Sequence, residues 1–229
     1  MRSSLIAVLD RLERHYGPLA PDWPTDPYYF LVWWHCGYPQ SDAACARGWA
    51  SLTERVGVEP AQLRAARASS LAAALKPGGM IPELRARRLK EIAARIEKEF
   101  GGDLRGALAA RLAEAPKLLK QFPGIAGPGA DRILLFGGLA PAAAVPSGNP
   151  QVLVRIMRGP ESKDYAANYR EAQWIITEGT APDVHERSRA YLLLKRHGQD
   201  VCKRTKPACG ACPIRKDCLY VASPSTAGS

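Results

Sequence analysis

Lys117 to Leu135 reads KLLKQFPGIAGPGADRILL, a short apolar helix, a turn rich in proline and glycine, then a second apolar helix. Tight glycine turns let backbone N–H groups approach an anion closely, and a helix starting just past such a turn adds its positive dipole end. The segment therefore predicts a helical hairpin whose turn, at Gly124, Ala126, Gly127, Pro128 and Gly129, suits phosphate contact.

The chain on either side is punctuated in the same helical period. Ser3 or Ser4 caps a segment with Leu5, Ile6, Val8, Leu9 and Leu12 on one stripe, which Gly17 stops. Asp26 and Pro27 open a second helix that Gly37 closes, and Ser41 or Asp42 opens a third that runs to about Val56. Pro60 starts a short helix, and Ser69 with Ser70 another. Pro82 begins the clearest amphipathic helix, with Leu89, Ile92, Ala93, Ile96 and Phe100 along one side. Arg85, Arg87, Arg88, Lys90 and Arg95 are read as its solvated face. Further helices are expected over 103–113, 116–121, 129–136, about 150–157, 163–177 and 183–198. Val152 to Ile156 has strand-like composition, but an isolated strand has nothing to pair with, so it reads as helix. The fold class is all-α. Residues 18–27 and 140–150, rich in Pro, Gly and Ala, read as crossings between two lobes, and 222–229 as a frayed tail.

The chain of 229 residues carries 32 Lys and Arg against 22 Asp and Glu, and its net charge of +10 favours a polyanionic partner. No run reaches the roughly 18 to 20 apolar residues of a membrane helix, and charges interrupt the first apolar stripe. A cytoplasmic, nucleoid-associated monomer with no membrane partner is expected.

Four of the six cysteines fall at Cys202, Cys209, Cys212 and Cys218, spaced C-x6-C-x2-C-x5-C. A reducing compartment argues against disulfides. Zinc takes four thiolates, usually from two C-x2-C knuckles, whereas the long unequal arms here suit wrapping a larger object such as a [4Fe–4S] cluster. The spacing favours the cluster and leaves zinc open. Lys203, Arg204, Lys206, Arg215 and Lys216 against Asp217 make the loop strongly basic. Cys36 and Cys45 read as small buried residues.

The hairpin, joined to this cysteine spacing and to His197-Gly198 just upstream, resembles the endonuclease III family of DNA base-excision glycosylases over Pro27 to Tyr220. The resemblance implies a helix-hairpin-helix glycosylase fold of two lobes, a helical barrel over 25–140 and a cluster lobe formed by 1–24 with 141–221. It implies double-stranded, damaged DNA in the cleft between them. The family's lesion-probing turn matches Gly37 to Asp42, which places Tyr38, Pro39 or Gln40 at the duplex, and Met80 with Ile81 resemble the second wedge. An apolar wedge there offsets part of the few kcal/mol that base extrusion costs.

The sequence departs from the family pattern at the turn, where Phe122 replaces a leucine and Ala126 stands at the second glycine, and at two places that bear on catalysis. Pro128 stands where bifunctional members carry a catalytic lysine, and a proline has no amine to form a Schiff base. The family's catalytic aspartate motif corresponds to Val145-Pro146-Ser147-Gly148-Asn149, which holds no carboxylate. Ser147 and Asn149 can orient a water or hold a phosphate but supply no charge. Asp131, three residues after Pro128 and on its helix face, and His35, beside Trp33 and Trp34, are the candidate catalytic residues. The expectation is a monofunctional DNA N-glycosylase with an atypical active site; the alternative is a non-catalytic binder of damaged or distorted DNA.

Overall fold

The computed structural model describes residues 3–222, so the predicted tail beyond Ala222 lies outside the described residues. Along the chain the helices are α1 (Leu5–Tyr16), α2 (Pro27–His35), α3 (Asp42–Arg55), α4 (Pro60–Ala65), α5 (Ala68–Leu75) and α6 (Pro82–Phe100). They continue with α7 (Leu104–Ala110), α8 (Ala115–Leu119), α9 (Gly127–Phe136), α10 (Gln151–Met157), α11 (Tyr165–Gly179), α12 (Val184–Asp200) and α13 (Leu219–Ala222). No strand occurs among the described residues, and Val152 to Ile156 lies inside α10. The fold is all-α.

Side chains that satisfy the first free N–H groups set where these helices begin. Ser4 accepts from Ala7 N at 3.2 Å, Asp26 from Tyr28 N at 2.9 Å, and Ser41 from Ala44 N at 3.3 Å. Asp183 accepts from Glu186 N at 2.8 Å to open α12. Gly17, at φ 76, ends α1 in a conformation that a side chain disfavours.

The chain forms two compact units. Pro21–Leu139 is one; the chain up to Ala20 and from Ala140 onward is the other. In the first unit α6 is the central helix, with α2, α4, α5 and α7 packed on it. Leu89, Ile92 and Ile96 of its stripe are fully buried, each worth about 2 kcal/mol of apolar transfer. Arg85 corrects the expected solvated face, for it is fully buried. The reason is positional: Arg85 lies four residues before Leu89 and so belongs to the stripe that runs through Ile92, Ala93 and Ile96.

In the second unit α1 packs on α11 and α12, and α10 on α11, α12 and α13. Leu9, Leu12, Ile156, Ala172 and Leu193 meet in a core that also holds Cys202, Ile214 and Cys218.

Candidate nucleic-acid interface and metal centre

The hairpin is α8, a turn and α9. Phe122, in the turn, is buried against Phe100 with ring centres 5.9 Å apart, and the Arg95 guanidinium lies 4.6 Å over its ring. Gly124 holds φ 70, a left-handed position that glycine takes without strain, and it is exposed together with Ala126. Helix α9 starts at Gly127, two residues before the predicted Gly129, because Pro128 fits a first turn whose N–H groups have no helical partner. No side chain caps this start, which leaves the positive end of the helix dipole without a protein anion, although Pro128 brings no N–H and Ala130 N is taken by the Ala126 carbonyl at 3.0 Å. Gly129 is buried and Asp131, two residues further on, is half-buried.

Farther along α9, Arg132 locks the helix in place. Its guanidinium pairs with Asp42 at 2.9 Å and lies 3.9 Å over the Trp23 ring.

The end of α2 joins the hairpin turn to the turn over residues 37–41. Trp34 stacks on Tyr38 at 4.3 Å and donates from Nε1 to the Gly124 carbonyl at 3.4 Å. His35 meets the Leu31 carbonyl through Nδ1 and the Pro123 carbonyl through Nε2, each at 2.8 Å. Burial pushes its pKa down to about 4, against the two carbonyls that favour the charged ring. Pro39 and Gln40 are exposed.

Arg85 brings in the third turn, over residues 76–81. Its guanidinium donates to the Leu75 carbonyl at 3.0 Å, the Gly79 carbonyl at 2.6 Å, the Met80 carbonyl at 3.0 Å and the Cys36 carbonyl. A Cβ at Gly78 would collide with the Cys36 carbonyl, so only glycine lets the two backbones approach this closely. A Cβ at Gly79 would lie 3.1 Å from the Gln40 side chain. Met80 is 65% exposed and Ile81 47% exposed, which is unusual for large apolar side chains. Ile81 holds φ 54 at the start of α6. The three turns that carry Tyr38, Pro39, Gln40, Met80, Ile81 and Gly124 are thus tied together around the end of α2.

In the second unit, Ser147 is exposed and Asn149 half-buried. The Asn149 side chain packs against Gly198, where a Cβ would lie 2.8 Å from its Cγ.

Cys202, Cys209, Cys212 and Cys218 all line one small cavity, together with Arg155, His197 and Tyr220. Among the described residues no three His, Cys, Asp or Glu side chains close on a point as ligands of a single ion do. Burial pushes the Cys202 thiol up to about 11, with Arg155 pulling it down, and burial also raises Cys212 and Cys218. Thiols such as Cys202, Cys212 and Cys218, raised by burial, give up their protons to a metal charge far more readily than to water. His197 faces Cys212 Sγ at 3.7 Å through Nε2, and Tyr16 meets its Nδ1 at 3.0 Å. Burial lowers the pKa of this ring to about 4. A neutral ring that accepts from the Tyr16 hydroxyl keeps its remaining N–H toward the sulfur.

Arg155 is the residue of this region that sequence reasoning passed over. It is buried, pairs with Glu161, and donates to the Lys203 carbonyl at 2.9 Å and the Arg204 carbonyl at 3.0 Å. A lone arginine inside the apolar run VLVRIM was its signal, as Arg132 inside ADRILLF was for the other unit.

This architecture is the helix-hairpin-helix DNA glycosylase fold. A structure of endonuclease III in a non-covalent DNA complex superposes with a TM-score of 0.75 at 18% identity, over 95% of this chain and 95% of that one. A thermostable thymine-DNA glycosylase superposes at 0.73 and 18% identity, over 95% and 96%. The 3-methyladenine DNA glycosylase of H. pylori, bound to 1,N6-ethenoadenine, does so at 0.61 and 17% identity, over 84% and 94%. No protein-family model and no curated protein matches the sequence.

Proposed function

We propose that this chain is a DNA base-excision repair protein that binds and bends damaged double-stranded DNA, extrudes the damaged base and hydrolyses its N-glycosidic bond without a lysine-dependent lyase step. The observation that carries the reading is the joining of three turns by Arg85, Trp34 and His35, which sets exposed Met80, Ile81, Pro39 and Gln40 beside an uncapped helix start. Apolar and polar tips of this kind fill the gap an extruded base leaves, and open amides hold the backbone. The net charge of +10 and the proteins that share the fold support the same partner.

The four cysteines, which line one cavity, are proposed to hold a [4Fe–4S] cluster rather than zinc, because the long unequal arms of C-x6-C-x2-C-x5-C suit an object larger than a single ion. When bound, such a cluster cross-links the loop and supplies folding free energy to a segment with little apolar content of its own. Arg155 orders the backbone at 203–204, and His197 keeps its N–H on Cys212.

Asp131, the carboxylate nearest in sequence to the hairpin turn, is the proposed catalytic group of the first unit, and Ser147 and Asn149 are proposed DNA contacts of the second. His35 favours the second reading, a binder that recognises distorted DNA without breaking a bond, since both its ring nitrogens are held by backbone carbonyls.

A panel of lesion-bearing duplexes, incubated with excess protein and then treated with mild alkali, separates the two. Alkali-labile sites at one or more lesions are expected. Tight binding with no scission at any lesion would establish the binder instead.

A further inference from the structure

Beside the cysteine loop lies a separate cavity of about 350 Å³, whose lining includes Gln151, Glu161, Ser162, Lys163, Arg204 and Thr205. We propose that it is an oxyanion site that takes a phosphate group.

Its chemistry is almost entirely that of a donor. Lys163 and Arg204 bring two cations, and Ser162 and Thr205 two hydroxyls. The Ser162 hydroxyl accepts from Asp164 N at 3.1 Å and so keeps its own proton to give. Gln151 is only 4% exposed, and its Nε2 amide is buried with no hydrogen-bond partner. A buried donor left unmade is costly, and an acceptor brought into the cavity would relieve that cost.

Glu161 is the one carboxylate in that lining, and Arg155 neutralises it through a paired, two-point contact. The same guanidinium holds the Arg204 carbonyl at 3.0 Å, so one buried residue fixes both walls. Asn168 braces the Glu161 side, accepting from Ser162 N at 3.0 Å and donating to its carbonyl at 2.7 Å. The cavity is therefore preorganised, which lowers the entropy cost of capturing an anion.

The phosphate comes either from a nucleic-acid backbone or from a small phosphorylated molecule. The first source rests on the proposed DNA function; the site itself does not.

Two measurements on the full-length holoprotein test it, each with wild type, Gln151→Leu, Lys163→Ala and Arg204→Ala. In the first, thermal unfolding is followed in sodium phosphate against sodium chloride of equal ionic strength. Saturable stabilisation by phosphate in wild type, lost in all three variants, is expected. Gln151→Leu removes the orphaned donor without leaving a hole, so its unfolding temperature in chloride is expected to match or exceed wild type. In the second, duplex affinity is measured across salt concentrations. If the backbone is the source, Lys163→Ala reduces the log–log salt slope by about one and affinity falls several-fold. A phosphate effect with unchanged duplex binding assigns the site to a small phosphorylated molecule. A phosphate effect in a protein that binds no duplex leaves the site standing and removes the DNA function. No phosphate effect, with duplex slopes alike in wild type and variants, overturns the site while leaving the DNA function intact.

Discussion

Arg85 and Cys36, 49 positions apart in sequence, meet in the interior of the first unit, where the buried guanidinium donates to the Cys36 carbonyl. One side chain thereby fixes the turn that follows α2 and the turn that precedes α6. Only a single 3-10 turn, Lys76–Gly78, lies in the two segments, so the relative placement of Gln40 and Met80 depends on a charge that the sequence pattern assigned to solvent.

Arg85→Met is expected to leave four carbonyl oxygens without their donor and to destabilise the fold by on the order of 3 kcal/mol. Chemical denaturation checks the value. Arg87→Met, on the exposed face of the same helix, is expected to change stability by less than about 0.5 kcal/mol. Equal effects at the two positions would sink the role given to Arg85.

The pKa of His35, lowered by burial from 6.5 to about 4, sets the sign of a pH effect. Below its unfolded value the unfolded chain binds the proton more readily than the folded one. Stability from the neutral ring is therefore complete above pH 6.5 and is lost as pH falls toward 4. Between pH 7.5 and 5 this amounts to about 2 kcal/mol. Urea denaturation at the two pH values is expected to show a loss in wild type that exceeds the loss in His35→Gln by about that amount, His197 contributing to both. Identical pH slopes would mean that the ring is protonated in the fold, held so by the Leu31 and Pro123 carbonyls.

Pro128 lies in the first turn of α9 and carries no amine. Borohydride reduction in the presence of a duplex containing an abasic site is expected to trap no protein–DNA adduct. A trapped adduct, mapped by peptide mass to Lys117, Lys120 or another lysine, would restore the lyase step.

Removing one proposed ligand tests the metal centre. Cys212→Ala is expected to give colourless, poorly soluble protein without stoichiometric iron, because the loop loses the cross-link that orders it. A brown, soluble variant with full iron would contradict the ligand set, and zinc in place of iron in wild type would overturn the choice of cluster.

Much of this was legible before any coordinates. The helix starts at Ser4, Asp26, Ser41 and Asp183 were readable because capping is local chemistry, written in one residue and the three that follow. The hairpin was readable for the same reason, although Pro128 marks a first turn and not, as expected, a residue before the helix. What escaped were the long-range roles of single polar residues. Arg85, Arg132 and Arg155 act on backbones and rings far away in sequence, and the orphaned amide of Gln151 is defined by what fails to surround it. Periodicity does carry a trace of them, since each arginine occupies a position where the helical stripe calls for an apolar side chain.

The reading stands or falls on whether this protein grips and distorts a double helix. Its most direct test is equilibrium binding of two matched duplexes, one intact and one carrying an abasic-site analogue, across a range of salt. The account predicts tighter binding to the interrupted duplex and a linear fall of log affinity with log salt, as released counterions require. Affinity that ignores salt, or no preference between the two duplexes, would contradict it.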